Sequence, residues 1–97
     1  MHEILVNKLC ALLSRSELRD LIDVRTLALA GADLELALSD APRKDGGFSP
    51  LTLAWVLDHL DVESLARSLS VPSSETSELL RFRAELVDRL VGARLEC

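Results

Sequence analysis

Asn7 to Asp23 reads NKLCALLSRSELRDLID. Leu9, Leu12 and Leu13 and then Leu18, Leu21 and Ile22 fall at helical spacing on either side of Ser14-Arg15-Ser16. An apolar set at that spacing is the mark of an amphipathic helix. The stretch therefore predicts the end of one helix, a break, and the start of another. Lys8, Arg15, Arg19, Asp20 and Asp23 are set among those leucines. They form either the polar rim of the helices or one wall of a charged site.

Working outward, almost every other segment also reads as helix. Glu3 to about Leu13 carries Leu5, Leu9, Leu12 and Leu13 on one face. Ser16 is expected to cap a second helix over Glu17 to Ala30, with Glu17 favourable in its first turn. Its inward face is Leu18, Leu21, Ile22, Leu27, Leu29 and the stem of Arg25, and Gly31 follows as a stop. Asp33 is expected to cap a short helix over Leu34 to Asp40 that Pro42 ends, and RKDGGF (Arg43 to Phe48) reads as a loop. Ser49-Pro50 restarts the chain as a cap and a first helical proline, leading to Leu51, Leu53, Ala54, Trp55 and Leu57. Asp61 caps a helix over Val62 to Leu69, and SVPSS (Ser70 to Ser74) breaks it. The last helix runs from about Glu75 to Leu95. Its stripe is Leu79, Phe82, Leu86, Leu90 and Val91. No period-two alternation of β-branched or aromatic residues occurs, and the chain holds no Tyr. An all-α fold follows, a compact bundle of five or six helices in one domain spanning 1–97.

The net charge is −5. An acidic surface repels a nucleic-acid backbone, so direct nucleic-acid binding is not expected, although residues 8 to 19 are locally basic apart from Glu17. No apolar run is long enough for a membrane span. The first residues, MHEILVNKLC, lack a charged region followed by a long apolar one, which predicts no signal peptide. Cys10 sits in an apolar helical pattern and reads as a buried thiol, and Cys97, the last residue, reads as frayed. Two such cysteines point to a reducing, cytoplasmic setting.

For chemistry, Lys8 and Arg15 are seven apart, which places them two turns apart on one face of a continuous helix, and Arg19 continues that face. Asp20 and Asp23 are i, i+3 neighbours. A phosphate ligand wants such cations, arginine as a bidentate partner and lysine as a point charge. A carboxylate beside them acts as a base or orients the arginines. The plainer reading is a salt-bridged rim in which Arg19 pairs with Asp23 at i, i+4. KDGGF lacks the spacing of a phosphate-binding P-loop and reads as a turn. Trp55 and His59 lie at i, i+4, flanked by Asp58 and Asp61. No activated Ser or Cys accompanies them, so they read as an edge-of-core Trp with a solvated His. No His, Cys, Asp or Glu cluster has metal-ligand spacing.

The pattern Lys8-x6-Arg15-x3-Arg19-Asp20-x2-Asp23, followed by a Leu-rich helix ending in Ala-Gly, resembles a motif of the AbiEii/AbiGii-type nucleotidyltransferases. These are the toxins of type IV toxin–antitoxin systems. DLELALSDAPRKDGGFSPLTLAWVL (Asp33 to Leu57) and the long charged last helix resemble the helical C-terminal part of that group in the same order. The resemblance implies an enzyme lobe that takes part in moving a nucleoside monophosphate from an NTP, with Mg2+, onto an RNA or protein acceptor. Carried over, Lys8 and Asp20 are the candidate catalytic residues. Lys8, Arg15 and Arg19 are the candidate phosphate-binding residues, and Asp23 supports them. The family's paired Asp-x-Asp, which holds the metal ions, has no counterpart here. The chain thus resembles a transferase lacking its catalytic half and is expected to be inactive alone. The partners so implied are the missing lobe, supplied by another chain, and a cognate antitoxin. A reading of a different class is a helical interaction or dimerisation module. On that reading the first helix presents Leu5, Leu9 and Leu12 as an unprotected face to a partner or a second copy.

Overall fold

The structure is a computed structural model that describes residues 2–95. Six helices follow one another: α1 His2–Arg15, α2 Leu18–Leu29, α3 Leu34–Lys44, α4 Pro50–Asp58, α5 Val62–Ser68 and α6 Ser73–Leu95. No strand occurs among the described residues, and the all-α bundle is the observed architecture. None of the helices is long and apolar enough to cross a membrane. The expected fraying of Cys97 lies outside the described residues.

Several boundaries follow from capping chemistry. The Asp33 carboxylate accepts from the Leu36 N–H at 3.1 Å, Ser49 Oγ from the Thr52 N–H at 3.4 Å and Asp61 from the Ser64 N–H at 3.1 Å. Each satisfies a donor that the first helical turn leaves open. Ser16 does not cap α2. Its N–H donates to the Leu12 carbonyl at 3.0 Å and its φ is 55°, so it closes α1 in a left-handed conformation. Glu17 takes the capping position without a side-chain bond. Nor does Pro42 end α3, which continues to Lys44. A proline in the last turn forfeits only the bond to the carbonyl four residues back, and the Asp45 N–H still reaches the Ala41 carbonyl at 3.0 Å.

α1 is the central element. It packs against α2, α3 and α4, while α6 lies along α4 and touches α2 and α5. Leu5, Leu9 and Leu12 are wholly buried, against a core that includes Leu21, Val24, Leu53, Leu57, Leu79, Leu86 and Leu90. The expected unprotected face of the first helix is therefore absent: those leucines are the middle of the chain's own core. Two inward assignments also fail, at Leu29 and at Val91 of the last helix, which is 39% exposed. Leu29 is 72% exposed, and Val24 takes the buried place on α2. Trp55 is 63% exposed, because Leu53, Ala54 and Leu57 define the buried side of α4 and Trp55 falls on the other.

Candidate functional site

The singled-out charges meet where α1 and α2 lie side by side. Asp20 sits in the first turn of α2, where the open N–H groups of the helix end favour a carboxylate. Its side chain is 2% exposed. Arg15 Nη2, at the end of α1, is 2.9 Å from Asp20 Oδ1, and Lys8 Nζ is 3.8 Å from the same oxygen. Lys8 Nζ is also 2.8 Å from Asp23 Oδ2, one turn further along α2. Two cations of one helix and two carboxylates of the next thus alternate across a single seam. The hydrogen bond to Asp23, and then the attraction of its charge, hold the Lys8 ammonium above its ordinary value.

Arg19 does not join them. α1 ends at Arg15, so Arg19 belongs to a different helix and does not continue the Lys8–Arg15 face. It is exposed, beside a groove that α2 shares with Leu65, Ser68 and Leu69 at the end of α5. Among the described residues it has no ion pair, and the expected Arg19–Asp23 pair does not form, because Asp23 is turned to Lys8. The structure brings Lys8, Arg15, Asp20 and Asp23 together and leaves Arg19 out.

The chemistry open to this arrangement is limited by charge. Each cation already lies within ion-pair distance of a carboxylate, and a lysine held in its charged form is no general base. The seam contributes little net stability. Exposed pairs are worth about 0.2–1 kcal/mol, and burying Asp20 carries a desolvation cost. That cost is incompletely offset, since Asp20 Oδ2 is buried with no hydrogen-bond partner. Lys8 and Arg15, two turns apart on α1, each meet a carboxylate of α2, so the seam joins the two helices at two points. No group of three or more His, Cys, Asp or Glu among the described residues is arranged to hold a metal ion.

The Trp55–His59 pair, expected as an edge-of-core Trp beside a solvated His, lies further out than that. Leu51, Trp55, Asp58 and His59 share the outward side of α4. The Trp55 and His59 rings stack with centroids 4.3 Å apart at 30°, and His59 Nδ1 donates to the Trp55 carbonyl at 2.8 Å. The signal was present: Leu53, Ala54, Leu57 and Leu60 already make a complete inward set, which leaves Trp55 outside it.

Among the described residues, fold and site make a six-helix α domain whose near-core charges pair two of its helices. No family model matches the chain, and no curated protein and no solved structure matches it. The nucleotidyltransferase resemblance stands on the residues quoted for it alone.

Proposed function

We propose that this chain is a non-catalytic helical interaction module that works through the outward face of α4. One observation carries the reading: the chain's single Trp is 63% exposed and its ring is stacked on His59. Scattered exposed leucines are ordinary on any surface and argue nothing. A tryptophan is different, because it is the largest apolar side chain and the residue type most enriched among those that dominate interface energetics. Stacking restricts it before any partner arrives, so binding orders less.

The rival proposal is a helical lobe of a nucleotidyltransferase, with NTP and Mg2+ brought by a separate lobe and an antitoxin as partner. It is supported by the Lys8–Asp23 motif. It requires Lys8 and Arg15 to face phosphate, and phosphate would first have to displace Asp20 and Asp23. The interaction reading requires no rearrangement.

The test is a photo-reactive residue in place of Leu51, irradiated in the cells that make the protein. A discrete heavier adduct is expected, and it should be lost when Trp55→Ala is added. If position 51 gives no more adduct than a control at Ser74 on α6, the reading is wrong.

A further inference from the structure

We propose that the α4 face docks a cationic segment of a partner protein, one that presents an arginine or lysine beside an apolar side chain. This rests on the reading of the chain as an interaction module and names the chemistry of its partner.

The face combines two kinds of group. Trp55 is 63% exposed with one face of its indole on His59, and a cation placed over the other face is attracted to the π-system. Leu51, one turn earlier and 37% exposed, offers the apolar contact. Asp58 lies one turn from Trp55 on the same helix, and Asp61 and Glu63 follow at the start of α5. All three carboxylates are exposed, and none has an ion pair among the described residues. Asp61 uses one oxygen to cap α5. Arg67, one turn beyond Glu63, forms no pair with it. Arg83 donates to the Leu60 carbonyl at 2.9 Å, between Asp58 and Asp61 in the chain, and pairs with neither. An exposed aromatic ring followed along the chain by three carboxylates without ion pairs is complementary to a guanidinium or ammonium group on an apolar stem.

Charge also decides between occupants. The net charge of −5 makes a second copy a like-charged partner, which the overall field repels. A basic segment of a different protein is drawn in by the same field.

Trp55 is the chain's one Trp and there is no Tyr, so intrinsic fluorescence reports this face. The probe is a synthetic amphipathic helical peptide with arginines and leucines at i, i+4, compared with the same peptide carrying Glu for Arg. A saturable change in Trp55 emission is expected with the arginine peptide, and binding at least about tenfold weaker with the glutamate peptide. Asp58→Asn with Glu63→Gln should raise the Kd about fivefold, while Glu75→Gln with Asp88→Asn, the same charge change on α6, should stay within about twofold. Equal losses in the two double variants, or equal binding of the two peptides, overturns the proposal. So does an emission change on diluting the chain alone, which would make the occupant a second copy. If position 51 crosslinks in cells but the arginine peptide does not bind, the partner chemistry is wrong and the module reading stands. If neither occurs, both fall.

Discussion

Arg15 and Asp20 meet at 2.9 Å across the turn from α1 to α2, yet Asp20 is 1% exposed and the Arg15 side chain 55%. The pair is therefore lopsided: its anion is inside and its cation is outside. Removing Arg15 leaves a buried carboxylate with Lys8 at 3.8 Å as its remaining ion-pair partner. Removing Asp20 leaves cations that water can reach.

Arg15→Ala should accordingly cost more than Asp20→Leu. Breaking a fully buried pair costs about 3–5 kcal/mol, and the exposure of Arg15 reduces that to about 2 kcal/mol. Asp20→Leu fills the same space without an orphaned oxygen and should lie within about 1 kcal/mol of the parent. Urea unfolding of both variants measures the order. A milder effect from Arg15→Ala would show that the seam does not hold α1 to α2.

Alkaline pH should weaken the fold through two groups. Burial, and then the nearby Asp45 charge, push the Cys10 thiol above its usual 9.0, and the Asp23 hydrogen bond raises Lys8 above 10.5. In both cases the folded-state value exceeds the unfolded one, so the unfolded chain loses its proton first. Stability from these groups is complete below the unfolded values and falls as pH rises through the folded ones. The decline should begin near pH 9 with Cys10 and steepen above 10.5 with Lys8. Cys10→Ala should remove the first part of it and Asp23→Asn the second. A stability that stays flat from pH 8 to 11 would contradict both assignments.

Ser70→Gly should stabilise the chain. After α5, the Ser70 N–H reaches the Arg67 carbonyl at 3.1 Å and the Val71 N–H reaches Ala66 at 2.9 Å. The end of α2 has the same pair of bonds around Gly31, whose φ is 105°. Ser70 sits at φ 58° in the equivalent place. Left-handed backbone costs a non-glycine residue about 1–2 kcal/mol, and glycine's extra freedom when unfolded takes back about 0.5–1 kcal/mol. A net gain of roughly 0.5–1 kcal/mol is expected in thermal unfolding. Ser70→Ala should give none, and a gain from both would point to the lost hydroxyl instead.

Two neighbours on α4 should behave oppositely. Leu53 is wholly buried, so Leu53→Ala should destabilise by about 2–5 kcal/mol. Trp55→Ala removes an exposed ring and should change stability by less than about 1 kcal/mol. Circular dichroism melts compare them directly. A large loss from Trp55→Ala would make the ring part of the core and remove the basis of the proposed interface.

Much of the fold was legible because it is local. The leucine spacing of α1 and the caps Asp33, Ser49 and Asp61 act within one or two turns, and the chain states them outright. What was missed depends on tertiary neighbours. Leu29 and Val91 read as inward residues on spacing alone, and Trp55 as a residue at the edge of the core, yet all three are exposed once the other side chains fill the interior. Ser16 reads as a cap until its φ of 55° shows that it ends the previous helix. In the site, the composition of the charge cluster was legible but its pairing was not. Lys8 and Asp23 are joined by the packing of two helices, which no spacing rule within one helix predicts.

Lys8 and Arg15 each pair with a carboxylate of α2, which leaves neither of them a free cation for phosphate. The most direct measurement is an amide NMR titration of the isotope-labelled chain with Mg-ATP. Unshifted amides around Lys8, Arg15 and Asp20 through millimolar nucleotide are predicted. Saturable shifts at those residues would contradict the claim and return the cluster to the phosphate-binding reading.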